Sequence, residues 1–144
     1  MKKWILMISC LVALHFGAQA GTDKMINVNQ LPATAQQCLK KYFASDKVAY
    51  AKVDQDWLDK DYKVIFTNGN KVEFDKQGEW KEIDCKYTQL PAGIVPKAIA
   101  DYVQSNYPNV KMLKIERDSR NYEVKLDNRL ELKFDLQFRL TEID

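Results

Sequence analysis

The chain has 144 residues, with 22 lysines and arginines against 20 acidic residues and one histidine, for a formal charge of +2. That balance gives no basic footprint for nucleic acid and no adhesive charge for an anionic membrane surface. The one histidine, His15, sits in a segment read next as a removable leader, so the rest of the chain offers no Ser-His or Cys-His nucleophile pair and no histidine-bearing zinc site.

The first twenty residues, MKKWILMISCLVALHFGAQA, run from Lys2 and Lys3 through an apolar stretch to Ala18-Gln19-Ala20. A basic start, a short apolar middle and a small-x-small end mark a secretory signal peptide, cleaved after Ala20. The apolar stretch is shorter than the roughly 20 residues that a membrane helix needs. Cys10 raises a lipid anchor, but it stands too close to Lys3 and a second apolar stretch follows it, so that reading is rejected. Residues 21–144 are then expected to form one domain of zero formal charge, periplasmic or secreted, with no membrane insertion.

Within that domain the chain repeats itself. At an offset of about sixty, Tyr62, Val64, Phe66, Val72 and Phe74 meet Tyr122, Val124, Leu126, Leu132 and Phe134, and Asp75, Glu82, Ile83 and Asp84 meet Asp135, Glu142, Ile143 and Asp144. Upstream, Cys38, Leu39, Tyr42 and Phe43 align with Ala98, Ile99, Tyr102 and Val103, and Leu31-Pro32-Ala33 with Leu90-Pro91-Ala92. The expectation is two units, about 25–85 and about 86–144.

Each unit opens on a helix. Ala35, Cys38, Leu39, Tyr42 and Phe43 form one apolar stripe, and Val95, Ala98, Ile99, Tyr102 and Val103 repeat the spacing. Pro32 and Pro96 suit the first helical turn. Four strands follow each helix, near 48–55, 61–67, 70–75 and 79–85, then near 110–117, 121–127, 129–135 and 138–143. Asn68-Gly69 signals a type I′ hairpin turn; Arg129 and Phe138, where glycine would suit the turns, predict longer or distorted loops in the second unit.

Alternation assigns the faces. Tyr62, Val64 and Phe66 share one side and Lys63, Ile65 and Thr67 the other; Tyr122, Val124 and Leu126 oppose Glu123, Lys125 and Asp127. A sheet with one apolar and one charged face is covered on the apolar side only. The fold class is therefore α+β: two tandem α-β4 repeats, an antiparallel sheet with both helices on one face and an open, charged other face.

Candidate sites are few. Cys38 and Cys85 could staple helix to sheet in an oxidising compartment, closing a loop of about fifty residues for ~3–5 kcal/mol; the competing reading is two small buried thiols, which Ala98 at the place of Cys38 favours. Asp54, Asp56, Asp59 and Asp61 suggest calcium, but the spacing lacks the glycine and glutamate of an EF-hand loop and reads as a solvated turn. No metal, no cofactor and no catalytic residue is expected. Trp80 reads as core. Tyr50 on the first strand and Trp57 in the hairpin loop, grouped with Lys52, Lys63, Ile65, Glu73, Lys125 and Lys133 as an open-face set, have the anchor-and-rim composition of a protein interface.

Leu90-Pro91, Ile94-Val95-Pro96, Tyr102, Tyr107-Pro108, Tyr122-x-Val124-x-Leu126 and Phe134-Asp135 resemble the PepSY-like proteins with a β-lactamase-inhibitor-protein-like fold, small exported proteins of Bacteroides-type bacteria. Leu31-Pro32, Tyr62-x-Val64, Asn68-Gly69, Phe74-Asp75 and Gly78-Glu79-Trp80 carry the likeness in the first unit. The resemblance implies a concave sheet backed by helices, a periplasmic or secreted home and no catalysis. It also implies a protein partner gripped by the open face, a peptidase or another envelope enzyme. The expected function is a non-enzymatic binding module, an inhibitor or regulator of such an enzyme; the alternatives are a carrier of a peptide or small ligand and self-association through edge strands.

Overall fold

A nine-stranded antiparallel sheet in strictly sequential order forms the body of the computed structural model, which describes residues 22–144. The predicted leader, with Cys10 and His15, lies outside the described residues. β1 (Thr22–Ile26) precedes α1 (Ala33–Tyr42), which is followed by β2 (Val48–Gln55), β3 (Lys60–Phe66), β4 (Lys71–Phe74) and β5 (Trp80–Asp84). Then α2 (Lys97–Asn106) precedes β6 (Met112–Arg117), β7 (Asn121–Leu126), β8 (Glu131–Asp135) and β9 (Leu140–Ile143). Because each strand pairs with the next, the hairpins β2–β3, β4–β5, β6–β7 and β8–β9 all emerge at one end of the sheet.

Both helices lie on the apolar face. Ala35 and Leu39 of α1, and Ile99 and Val103 of α2, are buried in one core with Val64, Phe66, Val72, Phe74, Ile83, Ile115, Val124, Leu126, Leu132 and Phe134. Phe43, ending α1, stacks on Phe66 with ring centres 5.0 Å apart, and Tyr102 of α2 meets Phe134 edge-on at 5.5 Å. Alternate residues of a strand point to opposite sides, so burying this set turns Lys63, Glu73, Glu82, Lys114 and Lys125 outward.

The helical alignment is corrected by one turn. Pro32 and Pro96 both cap helix N-termini, and Phe43 and Tyr107 both cap the C-termini, so Cys38 corresponds to Tyr102, while Ala98 is exposed. A slip of one turn keeps an apolar stripe nearly in phase at 3.6 residues per turn, which is why spacing alone does not detect it. Strand β1 is a second departure: its five residues are exposed but for Ile26, and only pairing with β2 makes it a strand.

The turns also differ from expectation. The β3–β4 connection is no type I′ turn, since Gly69 at φ 85° is its one left-handed residue; Gly69 N–H donates to the Phe66 carbonyl (3.0 Å) and Asn70 N–H to Asn68 Oδ1 (3.0 Å). This is a three-residue loop closed by a left-handed residue. The β7–β8 loop is neither longer nor distorted: Arg129, at φ 76°, makes the matching bond to Leu126 (3.1 Å), and Leu130 N–H donates to Asn128 Oδ1 (3.1 Å). Likewise Phe138, at φ 63°, takes the place that Gly78 (φ 86°) holds in the β4–β5 turn. In both turns an aspartate, Asp75 or Asp135, accepts two backbone N–H groups.

Candidate functional site

The open face is a lattice of ion pairs. One cross-strand row runs through Lys52, Lys63, Glu73 and Glu82, and continues through Glu116, Glu123, Lys133 and Glu142, each directly opposite the next. Most of its charges are answered locally: Lys63 by Glu73 (2.5 Å), Glu82 by Lys71 (2.7 Å), Glu116 by Lys114 (2.9 Å) and Lys133 by Glu142 (2.7 Å), while Lys125 and Glu131 pair beside the row (2.6 Å). Lys52 pairs with Asp23 of β1. Partly exposed pairs of this kind each contribute at most ~1 kcal/mol, so the lattice is worth more for setting surface charge than for stability.

The middle of the row is acidic. Glu73, Glu82, Glu116 and Glu123 line a shallow hollow of about 280 Å³. Burial tends to raise Glu82, but hydrogen bonds from Glu116 and Lys71, with the charges of Lys114 and Lys71, hold it below its ordinary 4.5. Glu116 moves the other way: burial, then the hydrogen bond it shares with Glu82, raise it above 4.5. Two carboxylates directly opposite each other resist bearing two charges, and of the pair Glu116 is the one whose proton affinity is raised.

The structure brings together only part of the predicted set. Tyr50 stands opposite Ile65, and Lys52, Lys63 and Glu73 follow one another across β2, β3 and β4, so these five form one continuous patch. Tyr50 is 42% exposed and Met25, on β1 opposite Lys52, is 62% exposed, giving the patch an apolar edge that the sequence did not disclose. Lys125 and Lys133 lie on β7 and β8, in the far half of the sheet. Trp57 is not on the open face at all but at the tip of the β2–β3 hairpin, 86% exposed. Trp80 packs against the core as expected, with the Arg117 guanidinium 3.9 Å over its ring and Arg117 Nε donating to its carbonyl (2.6 Å).

Cys38 and Cys85 are not joined; both are free thiols. Their surroundings differ: Cys38 feels the charges of Arg117, Glu79 and Lys41, whereas Cys85 lies near Asp46, Asp84 and Thr88. Burial is the main cause that pushes Cys38 up to about 11 and Cys85 up to about 12. Both are therefore poor nucleophiles.

The aspartate turn does not fit calcium. Asp56 Oδ1 accepts the N–H groups of Leu58 (2.8 Å) and Asp59 (2.7 Å), and Asp61 holds Lys81 (2.6 Å). Among the described residues no three His, Cys, Asp or Glu side chains are placed to share a metal ion. Nor is any described helix long and apolar enough to cross a membrane.

Residues 60–142 match the family model described as "Putative beta-lactamase-inhibitor-like, PepSY-like". The chain belongs to this PepSY-like family. Three crystal structures share the fold. The "putative calcium-regulated periplasmic protein" of Bacteroides thetaiotaomicron is 61% identical with a TM-score of 0.83, over 85% of this chain and 96% of that one. A "putative periplasmic protein from DUF2874 family" of Bacteroides vulgatus is 58% identical with a TM-score of 0.84, over 89% and 99%. A second periplasmic protein of Bacteroides vulgatus, of unknown function, is 38% identical with a TM-score of 0.80, over 85% and 99%. The PepSY-like chain matches no curated protein. None of these descriptions names a reaction.

Proposed function

We propose that this PepSY-like chain is a periplasmic, non-enzymatic binding module that takes a protein partner on the open sheet face, as an inhibitor or regulator of an envelope enzyme. The observation that carries the reading is the patch on β1–β4, where exposed Tyr50 and Met25 and half-buried Ile65 border the charges of Lys52, Lys63 and Glu73. An apolar anchor inside a charged rim is how protein interfaces concentrate binding energy. The periplasmic descriptions of all three neighbours support the location. The matched turns and helix caps support reading the two helix-plus-four-strand stretches as copies of one unit, which together supply eight of the nine strands of the open face, β1 adding the ninth.

The test is capture from a periplasmic extract with residues 21–144 as bait, beside a Tyr50→Ala/Lys63→Ala double variant. The reading expects a protein held by the parent and lost with the variant. An identical catch on both baits overturns it.

Calcium regulation, which one neighbour's description carries, is not part of the proposal: Asp56 is engaged in its own turn and Asp61 with Lys81, and no three acidic side chains among the described residues are placed to share an ion.

A further inference from the structure

Trp57 and Leu58 are 86% and 70% exposed at the tip of the β2–β3 hairpin. The turn does not require them. Asp118 Oδ1 accepts the N–H groups of Arg120 (2.7 Å) and Asn121 (2.9 Å) in the β6–β7 turn, just as Asp56 Oδ1 does for Leu58 and Asp59. The Asp118 N–H reaches the Asn121 carbonyl (3.1 Å) as the Asp56 N–H reaches that of Asp59 (3.1 Å). The same turn is thus built once with Ser119-Arg120 and once with Trp57-Leu58. Two large apolar side chains in water give folding nothing here, so their return must come from what covers them.

The neighbourhood of that tip specifies the cover. Asp59, Asp61, Asp75, Glu79 and Asp118, from three adjacent hairpins, surround a notch of about 570 Å³ whose wall includes Trp80. Its two cations are already engaged, Lys81 by Asp61 (2.6 Å) and Arg117 by Glu79 (3.2 Å). Asp59 and Asp75 have no salt bridge among the described residues; their Oδ1 atoms accept backbone N–H groups. The notch therefore carries excess negative charge beside an apolar finger.

We propose that this hairpin end docks a basic, apolar-containing segment of a partner protein, with a lysine or arginine in the notch and apolar side chains against Trp57 and Leu58. The proposal rests on the binding-module reading but uses a different surface from the open face. Acidic surroundings oppose anionic lipid, which sets a membrane surface aside as the favoured occupant.

Trp57 and Trp80 are the tryptophans of residues 21–144, and both stand at this end, so their emission reports on it. The probe is a ten-residue peptide alternating leucine with lysine and arginine, beside a control in which glutamate replaces every basic residue. Expected are a blue shift with the basic peptide, weakening with added salt, and an affinity lowered by about tenfold or more in Trp57→Ala/Leu58→Ala, read by polarisation of the labelled peptide. Asp61→Asn/Asp118→Asn should weaken binding similarly, whereas Glu131→Gln/Glu142→Gln, equal in charge change, should not. Equal binding of both peptides, equal loss in the distant variant, or a shift only with phosphatidylglycerol vesicles or with rising protein concentration overturns the proposal. Should Tyr50→Ala/Lys63→Ala abolish capture while Trp57→Ala/Leu58→Ala leaves both capture and peptide binding intact, this inference fails and the open-face reading stands.

Discussion

Glu82 and Glu116 face each other across β5 and β6, the one pairing that joins the strands before α2 to those after it. Their opposite shifts make a signed prediction. As pH falls from 7, Glu116 protonates above its ordinary 4.5, in the folded state before the unfolded one, so folding gains stability across that interval. Below 4.5 the depressed carboxylates Glu82, Glu131 and Glu142 dominate; their stabilisation is present above that value and is lost as pH falls through their folded values. At the other extreme Lys71, Lys81 and Lys114 are depressed by burial but raised more by their carboxylate partners, so their contribution holds below 10.5 and is lost as pH rises through the folded values. Tm followed by circular dichroism should hold or rise slightly from pH 7 to 5 and then drop, and Glu116→Gln should remove the rise. A parent curve falling steadily from pH 7 contradicts this account.

The turns predict substitutions of opposite sign. Arg129 at φ 76° carries a side chain where Gly69 carries none, and a left-handed residue with a Cβ costs about 1 kcal/mol. Arg129→Gly should therefore stabilise by about 0.5–1 kcal/mol in urea denaturation, the relief being partly offset by the freer unfolded chain. Gly78 is the reverse case: a Cβ there would come 2.8 Å from Pro32 Cβ and 2.9 Å from the Ala35 nitrogen, at the start of α1. Overpacking added to strain predicts a loss of about 2–4 kcal/mol for Gly78→Ala. Its counterpart Phe138 packs on Tyr122, ring centres 5.4 Å apart.

The two faces should respond very differently. Phe134 is fully buried under Tyr102, so Phe134→Ala should cost about 3–5 kcal/mol. Lys63→Ala, which removes a half-exposed partner of Glu73, should cost less than about 1 kcal/mol. Comparable losses for the two variants would mean that the faces are assigned wrongly.

Much of this was legible because it is local. Tyr62, Val64 and Phe66 alternate with Lys63 and Ile65 over a single hairpin, so period alone assigns the faces and brings Tyr50, Lys52, Lys63 and Glu73 together. The apolar stripe locates helix α1, yet it does not fix the alignment of α1 with α2, since a stripe tolerates a one-turn slip. Strand β1 carries no alternation of burial, and its identity depends on β2. The Glu82–Glu116 pair depends on β5 and β6 meeting after an intervening helix, which no local pattern encodes. Trp57 falls in the hairpin loop that its position in the sequence predicts, but not on the open face with Tyr50, because the strands flanking it run to Gln55 and Lys60 and carry it beyond that face.

The thiols offer a direct chemical check. With pKa values of about 11 and 12, Cys38 and Cys85 hold a thiolate fraction on the order of a thousandth or less at pH 8. Native protein comprising residues 21–144 should react with a chromogenic disulfide reagent only slowly, and two thiols should appear at once in denaturant without reductant. None appearing would restore the helix-to-sheet disulfide.

Calcium gives the last test. An ion that binds only the folded state raises stability by mass action, by about 2.7 kcal/mol at a hundredfold excess over its dissociation constant. For a chain of this size that is a shift of several degrees in Tm. Asp56 already accepts two backbone N–H groups, which hold its carboxyl below the ordinary 3.8 with no cation present. Asp61 is committed to Lys81, and no third ligand joins them among the described residues. Ten millimolar calcium should therefore move Tm by less than about one degree relative to equal ionic strength of sodium chloride. A rise of several degrees that Asp56→Asn abolishes would show instead that the β2–β3 tip rearranges to take the ion, at the expense of its own turn.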